Sequence, residues 1–334
     1  MQPAEPLHVV RDGQYAGKLA GGAIAIGNFD GVHRGHQAVI AKACEFAKAN
    51  EAACGVMTFE PHPRTVFQPD SALFRLAPEP VKLKLLQAAG VDGVVIAGFD
   101  RDFAAKTAEQ FVDDLLVGLL DVSAVVVGQD FRFGKGREGD VAMLRDFGLA
   151  KKFEVIAVGP EGAGDLVFSS SAVRKQLGEG DIDAAANVLG YRWFFEAEVV
   201  HGEKRGRDLG YPTANMALEK DCGLRQGVYA VRALIDGEHV GGVASFGVRP
   251  QFDNGAPLFE SYFFDFSGDL YGKTIAVTPL AFLRGEAKFD SVDDLVRQMD
   301  ADADAARDIV ARLKSDDPVS DFAMARALRD LKLA

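Results

Sequence analysis

Up to about residue 180, short apolar runs alternate with segments whose apolar residues recur every three to four positions. Residues 23–28, 54–59, 94–97, 124–127 and 153–158 read as buried strands. Between them Val39, Ile40, Ala43, Phe46 and Ala47 share one helical face, and Thr107 with Gln110 forms a capping box ahead of Phe111, Leu115, Leu116 and Leu119. This alternation predicts an α/β domain: a doubly wound parallel sheet covered by helices, with ligands beyond the carboxyl ends of the strands at a switch in strand order. After Gly190 the period changes. Residues 193–201, 228–235, 239–246, 258–266 and 274–280 are strand-like and are separated by Gly, Asp and Pro clusters. This half reads as a compact antiparallel β-barrel. Ser291 and Asp294 then cap a C-terminal helix carrying Val292, Leu295, Val296 and Met299, and its acidic residues read as a solvated face. The boundary falls around residues 181–190, giving domains 1–186 and 187–334. Residues beyond about 314 show no clear pattern.

A chain of 334 residues is long for one domain, which agrees with two. Lys and Arg total 37 against 49 Asp and Glu, a net charge of −12 shared almost equally by the two halves. Neither half is a basic arm, so bulk attraction to nucleic acid or to an anionic membrane is excluded as the purpose. Cys44, Cys54 and Cys222 are an odd number without a C-x-x-C, which argues against a disulfide framework and for a reducing compartment. Glu5, Arg11, Asp12 and Lys18 interrupt the apolar character of the first residues, so no secretory signal is read. No run approaches the roughly eighteen apolar residues of a membrane span. The expectation is a cytoplasmic protein acting on small molecules, as a monomer or weak homo-oligomer.

Chemistry concentrates first in Gly27-Asn28-Phe29-Asp30-Gly31-Val32-His33-Arg34-Gly35-His36. A buried strand ends, the chain turns through glycines, and a helix begins with His33 and His36 on one face of its first turn. Free backbone N–H groups and the positive dipole end make an anion site there. The imidazoles either donate to phosphate oxygens or carry positive charge while phosphorus becomes five-coordinate. Gly35 leaves room for a flat ligand against the backbone. The plainer alternative is that both histidines cap and fill a turn. Zinc is disfavoured, because no Cys, His or carboxylate at ligand spacing joins them.

This stretch resembles the H-x-G-H signature of the nucleotidyltransferase superfamily, and the ten-residue string is similar to that of the prokaryotic FMN adenylyltransferases (FAD synthetases). The resemblance implies a Rossmann-like domain with His33 and His36 catalytic and with Gly27, Phe29, Asp30 and Gly35 at the nucleotide. Residues 58–64 resemble the family's T-F-x-P-H-P segment, which puts Phe59, His62 and Pro63 at the flavin. The loop at 128–134 resembles one that contacts flavin and nucleotide, through Asp130, Phe131 and Phe133. Ser169-Ser170-Ser171-Ala172-Val173-Arg174 is similar to the S-S-T-x-I-R helix start that holds the ATP phosphates, with Ser171 where Thr is usual. The glycines at 134–139 and the Gly-Lys-Thr at 272–274 lack the strand and helix context of dinucleotide and P-loop fingerprints.

In the second half, residues 201–215 run from a glycine-punctuated basic loop into Tyr211-Pro212-Thr213-Ala214-Asn215. Thr213 and Asn215 alternate with Ala214, so in an extended segment their oxygens face the same way. One hydroxyl and one amide oxygen suit Mg²⁺, and incidental polarity on a surface hairpin is the alternative. The run resembles the riboflavin kinase signature G-x-x-x-G-R-x-L-G-[YF]-P-T-A-N. That resemblance implies Mg²⁺ at Thr213 and Asn215, phosphate contacts from Gly202, Lys204, Gly206 and Arg207, and Glu260 as catalytic base. Residues 282–289 resemble the family's F-L-R-x-E-x-K-F segment, which places Arg284 near flavin or nucleotide. Residues 245–250 depart from the usual N-[IV]-G-x-R-P, commonly with Thr where Val248 stands.

The two motif sets, spanning roughly residues 20–313, resemble the bifunctional riboflavin kinase/FMN adenylyltransferases of bacteria. They imply ATP as co-substrate, Mg²⁺, and riboflavin, FMN and FAD as substrate and products. The anionic substrates would be met locally by Arg174, Lys204, Arg207, two imidazoles and Mg²⁺. The alternatives are a chain with one working half, a nucleotidyltransferase with another acceptor, or a flavin-binding module without chemistry.

Overall fold

Strands buried on both faces need neighbours on both sides, and the apolar runs of the first half supply them. The computed structural model describes residues 6–11, 14, 16–164, 166–201, 211–248 and 257–333. Two compact units are present: the first runs to Leu73 and from Ala77 to Ser169, and the second takes Phe74–Leu76 and begins again at Ser170. The first contains β1 (His8–Arg11), β2 (Ala23–Ile26), β3 (Cys54–Glu60), β4 (Gly93–Gly98), β5 (Ala124–Gly128) and β6 (Glu154–Val158). All are parallel, in the order β1-β4-β3-β2-β5-β6. From β2 the chain winds outward through β3 and β4, then returns to the other side of β2 for β5 and β6. The sheet is therefore doubly wound, as expected, with its switch at β2. Edge strand β1 has no counterpart in the sequence reading, because its two apolar residues, Val9 and Val10, stand between His8 and Arg11 and make no apolar run.

Helices α1 (Arg34–Ala49), α2 (Pro63–Phe67), α3 (Glu79–Ala88), α4 (Arg101–Ala104), α5 (Ala108–Phe111) and α6 (Val141–Lys151) connect the strands. The capping box at Thr107 is present in both directions, with Gln110 N–H on Thr107 Oγ1 at 3.1 Å and Thr107 N–H on Gln110 Oε1 at 2.9 Å. The helix continues π-helically over Val112–Leu119. One expectation is overturned here: Cys44 on α1 and Cys54 at the start of β3 are joined by a disulfide. The total count of cysteines said nothing about two residues that the α1–β3 connection brings back beside each other.

A two-residue hairpin, β7 (Gly162–Ala163) with β8 (Leu166–Val167), precedes the second unit. There α7 (Ser170–Glu179) and α8 (Ile182–Leu189) lead into a closed six-stranded antiparallel barrel. Its strands are β9 (Phe195–Val200), β10 (Ala214–Ala217), β11 (Gly227–Ile235), β12 (Glu238–Val248), β13 (Pro257–Phe263) and β14 (Thr274–Arg284), in the order β10-β13-β12-β11-β14-β9. Phe259, fully buried, is the centre of the interior and packs on Phe195 at 4.9 Å and Phe246 at 5.7 Å between ring centroids. β13 stops before the predicted Phe266, because Asp265 takes a left-handed φ of 55° and turns the chain.

Helix α9 (Val292–Ser315) is capped by Ser291 as expected, and lies over the outside of β11, β12 and β14. It approaches closely because position 241 is glycine: a Cβ there would stand 2.7 Å from Val310. The tail beyond residue 314, unread in the sequence, includes α10 (Ala323–Asp330). Arg192, 5% exposed, ties the tail to the barrel unit. Its Nε and Nη2 donate to Asp317 at 2.7 and 3.0 Å, and Nη1 donates to Asp183 and the Leu280 carbonyl at 3.0 and 3.2 Å. Among the described residues no helix is long and apolar enough to cross a membrane.

Breaking a buried pair leaves a desolvated charge without its partner, so Arg192→Met is expected to destabilise the second unit by about 3–5 kcal/mol. Urea unfolding followed through Trp193, the single tryptophan and a member of this unit, measures it. Adding Asp317→Leu should recover most of the loss. A change below about 1 kcal/mol for Arg192→Met would show that the pair is not structural.

Candidate functional site

The turn that leaves β2 is held in an uncommon backbone. Phe29, Gly31 and Val32 take φ of 48°, 78° and 37°, a region that Phe and Val enter only when surrounding contacts force it. Those contacts are specific. The Asp30 carboxylate, 3% exposed, accepts the Ala77 N–H at 3.0 Å. Thr58 Oγ1, at the end of β3, donates to the Asn28 carbonyl at 3.1 Å, and Gln37 Nε2 donates to the Val32 carbonyl at 2.8 Å. Phe29 is buried and sets its ring edge-on to His36 at 5.2 Å.

Helix α1 starts at the end of that turn. His33 is its N-cap, with Nδ1 accepting the His36 backbone N–H at 3.3 Å. In the neutral ring the proton therefore sits on Nε2, where it is a donor. The two imidazoles stack with centroids 3.6 Å apart and planes 25° from parallel. Gly35 does not leave open space for a flat ligand as expected: a Cβ there would lie 3.2 Å from the His33 ring and from the Phe168 carbonyl oxygen. Its missing side chain accommodates His33. Desolvation, and then the charges of His33 and Lys82, hold the His36 imidazole well below its usual range. Of the two roles left open by the sequence, donating to phosphate oxygens or carrying positive charge, this lowering favours donation for His36. Its Nδ1 is buried without a hydrogen-bond partner.

Loops after the neighbouring strands complete this edge of the sheet. His62 caps α2, its Nδ1 accepting the Arg64 N–H at 3.1 Å, and Pro63 is the first helical residue. Phe59 is buried against Phe99 and Phe103, at 5.9 and 5.8 Å. Phe133 is buried against Phe111. Phe131, half-buried, stacks on Phe133 at 5.7 Å, and Asp130 is exposed. Of the residues expected at the flavin, Phe59 and Phe133 thus belong to the core, while His62, Asp130 and Phe131 keep surface.

In the second unit, Ser170 and Ser171 open α7, and Arg174 one turn in donates from Nε to the Phe74 carbonyl at 2.6 Å. Ser169, just before, is half-buried. On the barrel, register sets Asn215 of β10 opposite Glu260 of β13, and Ser245 of β12 on the other side of Glu260. This row faces outward, because its neighbours Met216, Phe259 and Phe246 are buried in the interior. Asn215, 5% exposed, donates from Nδ2 to the Thr213 carbonyl at 3.3 Å, which leaves its buried Oδ1 with no partner. Thr213 precedes β10 and is half-buried, as is Glu260. Arg284, at the end of β14, is engaged by Asp302 of α9. Gly202, Lys204, Gly206 and Arg207 lie outside the described residues. Among the described residues no cluster of three or more His, Cys, Asp and Glu side chains is arranged to hold a metal. An unpaired amide oxygen two residues from a threonine nevertheless fits, by its chemistry, a hard cation that keeps most of its water.

The FAD synthetase family profile matches residues 17–172 and the riboflavin kinase profile residues 189–310. A bifunctional riboflavin kinase/FMN adenylyltransferase of Escherichia coli K12 is 40% identical, over 88% of this chain and 94% of its own. Its counterpart from Pseudomonas fluorescens is 39% identical, over 93% and 98%. The chain belongs to the bifunctional riboflavin kinase/FMN adenylyltransferase family. A crystal structure of a Streptococcus pneumoniae protein described as a macrolide-efflux protein has the same architecture, with a TM-score of 0.80 and 29% identity over 90% of this chain and 99% of that one.

Within this family framework two groups escaped the sequence reading. Lys82 of α3, 1% exposed, pairs with Glu60 at the end of β3 at 2.7 Å, and its charge acts on His36. Asp302 is buried, although the acidic residues of α9 were expected on a solvated face. A buried lysine amid Val81, Leu85 and Leu86 leaves one weak signal, a charge on an apolar face. Asp302 leaves none.

Because the folded state holds the His36 pKa below its unfolded value near 6.5, the unfolded chain binds the extra proton between the two. Stability of the first unit should therefore be full above pH 6.5 and fall as pH drops through that window, by up to about 1.4 kcal/mol per pH unit. NMR titration of the ring should give a midpoint below 6.5, and Lys82→Met should raise it. A midpoint at or above 6.5 in the unaltered protein contradicts the neutral imidazole.

Proposed function

We propose that residues 1–186 carry out adenylyl transfer and residues 187–334 the kinase reaction, so that the chain converts riboflavin through FMN to FAD with ATP and Mg²⁺ in the cytoplasm. The register that sets Asn215, with its unpaired amide oxygen, beside Glu260 carries the kinase assignment. Glu260 accepts the proton of the riboflavin 5′-hydroxyl as that oxygen attacks the γ-phosphorus of ATP. The bond from γ-phosphorus to the bridging oxygen breaks, and ADP leaves with its electron pair. The Thr213 hydroxyl and the Asn215 amide oxygen would hold Mg²⁺, which when bound supplies positive charge to phosphate oxygens. Gly202, Lys204, Gly206 and Arg207 are assigned to the phosphates and Arg284 to the flavin.

In the first domain an FMN phosphate oxygen attacks the α-phosphorus of ATP and pyrophosphate departs. His33 through Nε2 and His36 through its one N–H donate to the oxygens that gain charge. Both donors are fixed before substrate arrives, one ring by its capping bond and the other by stacking on it. Gly27, Phe29, Asp30 and Gly35 shape the turn that presents them, and Ser169, Ser170, Ser171 and Arg174 are assigned to ATP phosphates. His62, Pro63, Asp130 and Phe131 are assigned to the flavin, with Phe59 and Phe133 supporting them from the core.

Incubation with riboflavin, ATP and Mg²⁺, followed by chromatographic separation of the flavins, tests both assignments. Glu260→Ala is expected to abolish FMN formation while FAD still forms from added FMN. His36→Ala should do the reverse, slowing adenylyl transfer by about 10²–10³. Loss of both reactions from either substitution in a folded protein would refute the two-site assignment.

A further inference from the structure

The acidic residues of α9 are not equivalent. Asp293, Asp300, Asp304 and Asp308 are exposed, whereas Asp302 is 7% exposed in the middle of the helix, remote from any dipole end that would favour a carboxylate. Its oxygens accept three hydrogen bonds from the guanidinium of Arg284: Nε reaches both at 3.0 Å, and Nη2 reaches Oδ2 at 2.6 Å. Gln298, one turn earlier, donates from Nε2 to Oδ1 at 2.9 Å. The remaining Arg284 nitrogen, Nη1, donates to the Gly285 carbonyl at 3.0 Å. Asp300 also reaches a motif residue, the Tyr211 hydroxyl. That contact is on the surface, and the signature accepts Phe at the position.

We infer that Asp302, oriented by Gln298, is a positioning residue of the kinase half: it locks the guanidinium plane of Arg284 and balances its charge until substrate arrives. The inference rests on the assignment of Arg284 to the flavin. A planar fork held along its Nε–Nη2 edge by one carboxylate, with Nη1 on the Gly285 carbonyl, has a single orientation, and an arginine that has already lost its rotamer freedom meets a ligand at lower entropic cost. Without the carboxylate, the same side chain would sample several rotamers and carry an unbalanced charge at the barrel surface. The helix thus contributes to the site through another residue and does not touch substrate itself.

The test is a double-mutant cycle on the full chain with Asp302→Asn, Arg284→Ala and the pair, reading kcat and KM for riboflavin phosphorylation. FAD formation from added FMN on the same molecules controls for folding. Asp302→Asn is expected to raise the KM for riboflavin about tenfold with kcat changed less than about twofold, the size of one lost charged hydrogen bond. Asp302→Glu should recover part of that loss, and adding Asp302→Asn to Arg284→Ala should change nothing further. If the two effects multiply, or if Asp302→Asn alters only the melting temperature, Asp302 is structural and the inference is overturned. If Arg284→Ala leaves riboflavin kinetics untouched, it is the assignment of Arg284 to the flavin that fails. A variant that loses FAD formation as well has lost its fold, and this too counts against a local positioning role.

Discussion

A charge taken out of water must meet an opposite charge, and three ion pairs, each with a buried member, set much of this structure by obeying that rule. Lys82 pairs with Glu60, Arg192 with Asp317 and Arg284 with Asp302, each within 2.7 Å. The first joins α3 to the carboxyl end of β3, the second fastens the tail to the barrel unit, and the third fastens α9 to the end of β14. The pairing has a consequence for the chemistry. Once their charge is balanced internally, these side chains are not free cations waiting for phosphate, and Lys82 even acts to keep His36 uncharged. On the proposed assignment, attraction for phosphate at the first site then comes from N–H groups: the imidazole donors and the start of α1. Such donors need no reorganisation as charge develops.

Backbone geometry decides where those donors stand. In the first unit the carboxyl edge of a parallel sheet gathers the turn after β2 and the loops after β3 and β5, because every strand points the same way. In the barrel the decisive quantity is register. A slip of one residue between β10 and β13 would turn Asn215 into the interior and bring Met216 out beside Glu260. The buried aromatic cluster around Phe259 prevents that slip, since Met216 and Phe246 are its cross-strand partners. Core packing and site assembly are here the same constraint.

Much of this was legible in the sequence. Continuous apolar runs gave β2 to β6, the change of period at Gly190 gave the barrel, and capping residues gave the starts of α5 and α9. The H-x-G-H turn was legible because its glycines and histidines are local, so its spacing survives folding unchanged. What could not be read was non-local. The Lys82–Glu60 and Arg284–Asp302 pairs join residues 22 and 18 positions apart, and nothing in the periodicity of α9 separates Asp302 from its exposed neighbours. The Cys44–Cys54 disulfide was missed because counting cysteines ignores which of them the chain returns to one another. The lowered pKa of His36 was missed because it depends first on burial, which only the fold creates, and then on the charges of His33 and Lys82.

The proposed reactions explain why two sites that both handle phosphate are built from different side chains. In adenylyl transfer the nucleophile is an FMN phosphate oxygen, which carries its charge already and needs no base. The carboxylate in the first turn, Asp30, accepts the Ala77 N–H, and on this reading the two imidazoles serve as the donors. In the kinase step the nucleophile is an alcohol, a poor attacker until its proton is taken. That site accordingly presents a carboxylate, Glu260, beside neutral oxygens suited to a cation. The net charge of −12 is compatible with both, because neither site relies on the field of the whole molecule. Each relies on groups whose protonation and orientation are fixed by their immediate neighbours, and the nature of the nucleophile determines which groups those must be.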